Sequence, residues 1–254
     1  MSTTEFVDQV QYPESDGQPM GETDLHRDWM IRILDILRYR YRGQRVYVAS
    51  DLLVYYVEGV PRKFVVPDDF VVLDCDPDRR RVFKTWEEGR VPDVVFEVTS
   101  RSTRREDESF KPQVYEQLGV REYFLYDPSS EYLHPALQGY RHRGREGFVA
   151  IGADPGGGLA SETLGIVLQL DHEQLVMCDR ETGAALMTEA EAERAAKEAE
   201  RAAKETERAA KETERAAKEA ERAAREVERA AREAAEARIA ELQAELDRIR
   251  RSQP

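Results

Sequence analysis

Hydrophobic residues recur at helical spacing early in the chain and shift to strand-like patterns after residue 45. Between residues 25 and 37 an apolar residue returns every three or four positions, which predicts an amphipathic helix from Thr23 or Asp24 to Arg38. Thr23 is suited to cap that helix. Short apolar or alternating runs then predict strands separated by turns, at residues 46–48, 52–57, 64–66 and 70–73.

The middle of the chain contains a strand, a helix and a further strand. The unbroken apolar run within Val91 to Val98 predicts a strand that is buried on both faces. Residues 108–118 are typical of a helix that ends at Gly119, and Glu122 to Tyr126 predicts the next strand. Later strand-like pieces are 132–133, 148–151, 165–170 and 174–178. This order of elements predicts an α/β domain.

A seven-residue repeat occupies the chain after Thr188. Ala-Glu-Arg-Ala-Ala-Lys-Glu begins at Ala192, recurs at Ala199 and returns in variant form over about six heptads. Its small apolar residues follow the alternating four-three spacing of a coiled-coil seam, and the larger residues Ile239, Leu242, Leu246 and Ile249 follow near the end. We expect a long helix that associates with copies of itself. A solvated single helix is the alternative, because alanine buries little area.

These patterns divide the chain into a disordered lead-in (1–19), an α/β domain (20–188) and an alanine-rich coiled coil (189–254). Residues 1–18 are polar and carry acidic residues, which does not fit a signal peptide. A membrane span needs roughly 18 consecutive apolar residues, and the sequence has no such run. The expected location is therefore the cytoplasm, with no membrane partner.

Most of the net negative charge of the chain lies in its first 188 residues. The chain has 51 acidic and 38 basic residues, of which residues 189–254 hold 18 and 16, leaving 33 and 22 for the rest. Such an acidic domain does not bind nucleic acid through its overall charge. Any contact requires bound cations or a local basic patch, for which Arg101, Arg104 and Arg105 are the candidates. A solvated loop is the alternative for these three arginines.

Glu97 is the most anomalous residue, because a charge inside a strongly apolar strand is unfavourable unless it is paired or bound to a metal. Asp93 lies on the same strand, about 13 Å away, which is too far for both to share one cation. Asp68 opens a neighbouring strand at about 5 Å, which suits joint binding of Mg²⁺ or Mn²⁺. A buried ion pair with an arginine is the alternative for Glu97. Asp69 is expected on the opposite face, in a turn or at the solvent.

A family resemblance rests on a series of residues in fixed order. The segment Pro-Asp-Val-Val-Phe-Glu-Val-Thr-Ser-Arg-Ser-Thr (92–103) is followed by Asp107, Lys111, Tyr115, Gly-Val-Arg-Glu-Tyr (119–123) and Tyr-Asp-Pro (126–128). Together with Pro67-Asp68 and a first helix that carries His26, it resembles the Uma-two family of restriction endonucleases, within the PD-(D/E)XK nuclease superfamily. The resemblance covers roughly residues 20–188. It implies a restriction-endonuclease-like mixed β-sheet flanked by helices.

The resemblance also implies a catalytic set. Asp68 and Glu97 match the two acidic residues that hold Mg²⁺ (or Mn²⁺), and Lys111 matches a lysine on the next helix. The usual lysine position of the superfamily holds Thr99 here. Pro112 directly follows Lys111, so Lys111 stands at a helix boundary. The auxiliary candidates are Glu22, His26 and Asp107.

Two functions remain open at this point. The first is a Mg²⁺-dependent endonuclease that hydrolyses DNA phosphodiester bonds and is oligomerised by its C-terminal helix. The second is a catalytically inactive nuclease-like scaffold whose coiled coil recruits protein partners. The joint presence of Asp68, Glu97 and Lys111 favours the first, whereas Thr99 and the acidic composition favour the second.

Overall fold

A computed structural model describes residues 10–15 and 23–251, except for the side chains of 245–247 and 249–251. Its contacts divide the chain into two compact units, 1–192 and 193–254. The helices are α1 (Asp24–Arg40), α2 (Thr85–Glu88), α3 (Lys111–Leu118) and α4 (Glu189–Arg251), with a π-helix at Glu106–Phe110 and a 3₁₀ turn at Gly144–Glu146. The strands are β1 (Val46–Ser50), β2 (Val54–Tyr55), β3 (Phe64–Val65), β4 (Asp69–Leu73), β5 (Phe83–Lys84), β6 (Val94–Val98), β7 (Glu122–Tyr126), β8 (Leu137–His142), β9 (Phe148–Ala150), β10 (Leu159–Ser161), β11 (Ile166–Asp171) and β12 (Gln174–Asp179).

The main sheet of the described residues has the order β1-β4-β6-β7-β8-β9. β6 and β7 are parallel, and the other neighbouring pairs are antiparallel. Residues of α1 such as Ile33 pack on one face, and residues of α3 such as Val114 pack on the other. The predicted α/β fold, a mixed sheet flanked by helices, is confirmed.

Local signals in the sequence set the ends of the helices near the sheet. The Thr23 hydroxyl accepts a hydrogen bond from the His26 amide at 3.2 Å, which confirms Thr23 as the cap of α1. Gly119 ends α3 with a positive φ of 79°, a conformation that glycine adopts without strain. The predicted helix at 108–118 is confirmed, although the helical segment begins earlier, in the π-helix.

Several strand predictions were too long, wrong or missing. The run 52–57 forms only the short strand β2. Residues 132–133 form no strand, because both of their amides donate to the Asp127 carboxylate, at 2.5 and 3.0 Å, and close a turn. β5, β8 and β10 were not predicted, since their short and partly polar sequences give no clear alternation of apolar residues.

α4 confirms a long C-terminal helix. Glu and Lys four residues apart form ion pairs along it, for example Glu200 with Lys204 at 2.5 Å. Val227, Ile239 and Leu242 are 70%, 55% and 45% exposed. The side chains of residues 246 and 249 lie outside the described part of the chain. Association of this helix with another helix stays a prediction.

The beginning of the chain is described only for residues 10–15. Tyr12 lies 5.0 Å from Tyr55 and 5.3 Å from Trp86 between ring centroids, so this short segment packs against β2 and α2. The rest of the predicted lead-in falls outside the described residues. Among the helices that the structure describes, none is long and apolar enough to cross a bilayer.

Candidate active site

Strand pairing brings two of the predicted acidic residues together. β4 and β6 are antiparallel and place Asp69 opposite Phe96, so the preceding Asp68 lies opposite Glu97. The Val98 amide donates to Oδ2 of Asp68 at 2.7 Å, and the Asp68 amide donates to Oε2 of Glu97 at 3.3 Å. Backbone groups of each strand therefore hold the carboxylate of the other.

Lys111 reaches the same place from the first turn of α3. Its Nζ lies 2.7 Å from Oε2 of Glu97 and 3.1 Å from Oδ1 of Asp107. Pro112 follows Lys111 at the second position of α3, directly after the wide turn of the π-helix. The partner of buried Glu97 is thus a lysine, and the alternative of an arginine partner was wrong. The structure brings Asp68, Glu97 and Lys111 into one cluster.

Tyr115 belongs to this cluster, although sequence reasoning gave it no role. Its hydroxyl donates to Oε1 of Glu97 at 2.6 Å, and its side chain is fully buried. It lies four residues after Lys111, which places both side chains on one face of α3. That spacing was the available signal in the sequence.

Two auxiliary candidates lie in the cluster, and one lies outside the described residues. His26 is buried, and its Nε2 lies 3.0 Å from Oδ2 of Asp68. Asp107 is buried beside Lys111, and its backbone carbonyl accepts a hydrogen bond from the Tyr123 hydroxyl at 2.6 Å. Glu22 falls outside the described part of the chain.

The arginines that follow β6 do not join the cluster. Arg101, Arg104 and Arg105 are all exposed on the segment that leads into the π-helix. Arg104 pairs with Glu108 at 3.0 Å. Their position is compatible both with contact to phosphates and with a solvated loop.

Burial and charge act in opposite directions on the pKa values of the cluster. Burial raises the pKa of Glu97 well above its ordinary value, and the nearby charge of Lys111 only partly offsets this. Burial also raises the pKa of Asp68, but Lys111, His26 and the Val98 amide outweigh it and leave that pKa lowered. Burial lowers the pKa of Lys111, whereas the surrounding carboxylates raise it well above its usual range. Lys111 therefore stays charged at neutral pH.

The oxygen atoms of the cluster fit a hard divalent cation. Mg²⁺ is commonly held by one or two carboxylates and keeps several waters. Oδ1 of Asp68 accepts no hydrogen bond from a described residue, and Asp68 is 7% exposed, so this oxygen is available as a ligand. No group of three or more His, Cys, Asp or Glu side chains is arranged around a metal position in residues 10–15 and 23–251. Asp68 therefore offers one oxygen to a cation, whereas both oxygens of Glu97 already accept hydrogen bonds.

Asp69 and Asp93, which lie close in sequence to Asp68 and Glu97, do not belong to the cluster. Asp69 is fully buried on the opposite face of the sheet, so the expected face was right but the expectation of a turn or solvent position was wrong. Burial, and then the charge of Asp68, raise the pKa of Asp69 well above its ordinary value. Asp93 accepts a hydrogen bond from the Leu73 amide at 2.7 Å and pairs with Arg121 at 3.1 Å. Asp93 therefore has a structural role between strands.

Comparison with known proteins identifies the family. The model of the Uma2 family, described as "Putative restriction endonuclease", matches residues 7–151, and the chain belongs to this family. A crystal structure of a "putative nuclease belonging to DUF820" from Anabaena variabilis is 12% identical, with a TM-score of 0.42, and the match covers 61% of this chain and 86% of that chain. The comparison with curated proteins gave no match. The predicted resemblance is confirmed, and membership of this family supports a nuclease function in general terms.

Proposed function

We propose that this protein is a Mg²⁺-dependent (or Mn²⁺-dependent) endonuclease that hydrolyses DNA phosphodiester bonds. The observation that carries the proposal is the convergence of Asp68, Glu97 and Lys111, in which Lys111 Nζ lies 2.7 Å from Glu97 Oε2. Two acidic residues and an ammonium group combine the ligands for a divalent cation with a donor for negative charge.

Each member of the cluster has a distinct task in this proposal. Asp68 and Glu97 hold the cation. When bound, Mg²⁺ polarises the scissile phosphate and lowers the pKa of a coordinated water. The ammonium of Lys111 donates hydrogen bonds to the charge that develops on the phosphate oxygens.

The surrounding residues keep this geometry fixed. Tyr115 orients Glu97 through Oε1, and His26 orients Asp68 through Oδ2. Asp107 pairs with Lys111 four residues along the same helical segment. Partners of this kind typically change metal affinity or activity about 10- to 100-fold when removed.

The position of Lys111 bears on the absence of a lysine at position 99, which favoured an inactive protein. Thr99 stands where the superfamily lysine is expected, but Lys111 delivers its ammonium to Glu97 from α3. The state of Glu97 favours the inactive scaffold: this residue is 1% exposed, and both of its oxygens already accept hydrogen bonds. Under that alternative, the ion pair with Lys111 is structural.

Cleavage of supercoiled plasmid distinguishes the two functions. The wild-type protein is expected to nick or linearise the plasmid with Mg²⁺ or Mn²⁺ and to be inactive with excess chelator. Glu97→Gln and Lys111→Ala should each abolish cleavage, whereas Glu131→Gln, at an exposed position, should leave it unchanged. Equal cleavage by the wild type and both cluster variants would assign the activity to a contaminant and refute the proposal.

The proposal includes self-association of residues 189–254. The heptad repeat and exposed apolar residues support it, because Val227, Ile239 and Leu242 are large apolar residues that face solvent on α4. A second copy of this chain carries the same repeat and is the partner that we infer.

A further inference from the structure

A cavity of about 620 Å³ lies beside β1, which is an edge strand of the main sheet. We call the surface that lines it the edge groove. It is lined by Arg38, Tyr41, Arg42, Gly43, Gln44, residues 46–50, Leu52, Pro77, Arg79 and Arg80. Among the described residues, this lining holds four arginines and no carboxylate, although acidic residues exceed basic ones by 33 to 22 in residues 1–188. The groove is therefore a basic site on an acidic domain.

Two of these arginines form no ion pair with an acidic side chain in the part of the chain that the structure describes. Arg79 is exposed and makes no hydrogen bond or ion pair with a described residue. Arg38 is also exposed, and among residues 10–15 and 23–251 its guanidinium donates only to the Val48 carbonyl, from two nitrogens at 3.3 Å each. Both guanidinium groups can donate further hydrogen bonds to an anion.

The other two arginines are already engaged. Arg80 forms two hydrogen bonds with Glu88, at 2.6 and 2.9 Å, and lies over the ring of Tyr47 at 4.2 Å. Arg42 pairs with Glu189. The capacity to bind a new anion therefore rests on Arg38 and Arg79.

The groove ends next to the carboxylate cluster. Ser50 lines the groove and donates from its hydroxyl to the Asp68 carbonyl at 2.6 Å. β1 has five residues, which span roughly 13 Å at about 3.3 Å per step. One strand of duplex DNA rises about 3.4 Å per nucleotide, so this length corresponds to about four nucleotides.

We propose that the edge groove binds the sugar-phosphate backbone of DNA on one side of the carboxylate cluster, with Arg38 and Arg79 contacting phosphates. The identity of the ligand as DNA rests on the proposed function, but binding in the groove does not require cleavage. A partner β-strand is the less favoured occupant, because the Arg38 guanidinium already covers the Val48 carbonyl on the open edge.

The salt dependence of DNA binding tests this inference. A short fluorescent DNA duplex is titrated with the full-length protein in excess chelator, over a series of salt concentrations. The slope of log K against log salt is negative, and each lost phosphate contact reduces its magnitude by about 0.9. We expect this magnitude to decrease by about 0.9 for Arg79→Gln and by about 1.8 for Arg38→Gln with Arg79→Gln.

A matched control separates local contact from overall charge. Arg143→Gln with Arg145→Gln makes the same change of charge at exposed positions between β8 and β9, near the opposite edge of the sheet. The slope of this control should equal that of the wild type. The Arg79→Gln variant alone remains decisive if Arg38→Gln disturbs the sheet edge, since Arg79 is exposed and forms no hydrogen bond or ion pair with a described residue.

Three outcomes would overturn the inference: no binding by the wild type, unchanged slopes in the groove variants, or an equal decrease in the control. Salt-independent binding of a peptide to β1 together with unchanged DNA binding would assign the groove to a partner strand. Arginine-dependent binding without cleavage in Mg²⁺ or Mn²⁺ would instead refute the endonuclease and leave the groove assignment standing.

Discussion

Nε2 of His26 lies 3.0 Å from Oδ2 of Asp68, and both side chains are largely buried. This contact joins the first turn of α1 to the strand pair that carries the two acidic residues of the candidate site. The same Asp68 oxygen accepts the Val98 amide at 2.7 Å. The orientation of Asp68 therefore depends on an element 42 residues away in sequence.

Replacement of His26 tests this dependence. We expect His26→Ala to lower the affinity for Mg²⁺ or the cleavage rate about 10- to 100-fold, because Asp68 loses one of the groups that orient it. The measurement is the plasmid cleavage rate as a function of Mg²⁺ concentration. A variant with the Mg²⁺ dependence and rate of the wild type would show that the contact has no role in the site. His142→Ala, at a residue distant in sequence from the cluster, serves as the control.

Tyr115→Phe removes one hydroxyl from the cluster. Glu97 is buried and then loses the donor to Oε1, so the free energy of unfolding should fall by about 1–3 kcal/mol. Urea unfolding of this variant is compared with that of Tyr39→Phe. Tyr39 is exposed, so this replacement should leave the free energy of unfolding unchanged. Equal stability of the two variants would indicate that the Glu97–Tyr115 hydrogen bond contributes little.

Lys111 and Glu97 should show strong energetic coupling. Lys111→Met leaves buried carboxylates without their cation, and loss of one partner of a buried pair typically costs about 3–5 kcal/mol. The variant with both Lys111→Met and Glu97→Gln should be less destabilised than the sum of the single changes predicts. Unfolding free energies of the four proteins measure this difference, and strict additivity would argue against a direct pair.

Asp127 should make stability depend on pH. It accepts hydrogen bonds from Ser129 Oγ at 2.7 Å and from the amides of Ser129, Tyr132 and Leu133. Burial raises the pKa of Asp127, but these donors outweigh it and hold that pKa below its ordinary value. A carboxyl with a lowered pKa stabilises the fold above the unfolded-state pKa of about 3.9, and this contribution is lost as the pH falls through the folded-state pKa.

Asp127→Asn is therefore expected to destabilise the protein most at neutral pH, by about 1–3 kcal/mol, and progressively less below pH ~4. Urea unfolding at several pH values measures the difference from the wild type. Asp35→Asn, at an exposed position on α1, serves as the control for loss of a carboxylate. A difference that stays constant with pH would exclude an ionised Asp127 as the stabilising group.

The role of α4 is tested by the mass of the protein in solution. Truncation after Ala192 keeps Glu191, which pairs with Arg32 at 2.7 Å within the first unit. We expect the full-length protein to be oligomeric and the truncated protein to be monomeric by analytical ultracentrifugation. Ile239→Glu with Leu242→Glu in the full-length chain should also lower the mass, because charged residues disrupt an apolar seam. An unchanged mass in both would exclude association through this helix.

The sequence was sufficient to predict the central pair of acidic residues. Glu97 lies in an apolar strand where an unpaired charge is unfavourable, and Asp68 directly precedes the strand that pairs with it. The spacing along β6 also excluded Asp93 as a partner of Glu97. These conclusions depend on local pattern and strand geometry, which the sequence contains.

Other features depend on contacts that local pattern does not encode. The burial of Asp69 and the use of Tyr115 follow from packing against both faces of the sheet. Arg38 and Arg79 both line the edge groove because α1, β1 and the loop after β4 come together at one sheet edge. Register and packing across distant segments determine such contacts, so the edge groove could not be predicted from the order of residues alone.

The π-helix at Glu106–Phe110 is one wide turn in the helical segment that carries Lys111 and Tyr115. A wide turn of this kind contains one residue more than an α-helical turn but completes the same rotation. Deletion of Ser109 would therefore convert it to an α-helical turn and leave Lys111 and Tyr115 directed at Glu97. The wide turn thus accommodates one inserted residue without a change in the angular phase of α3.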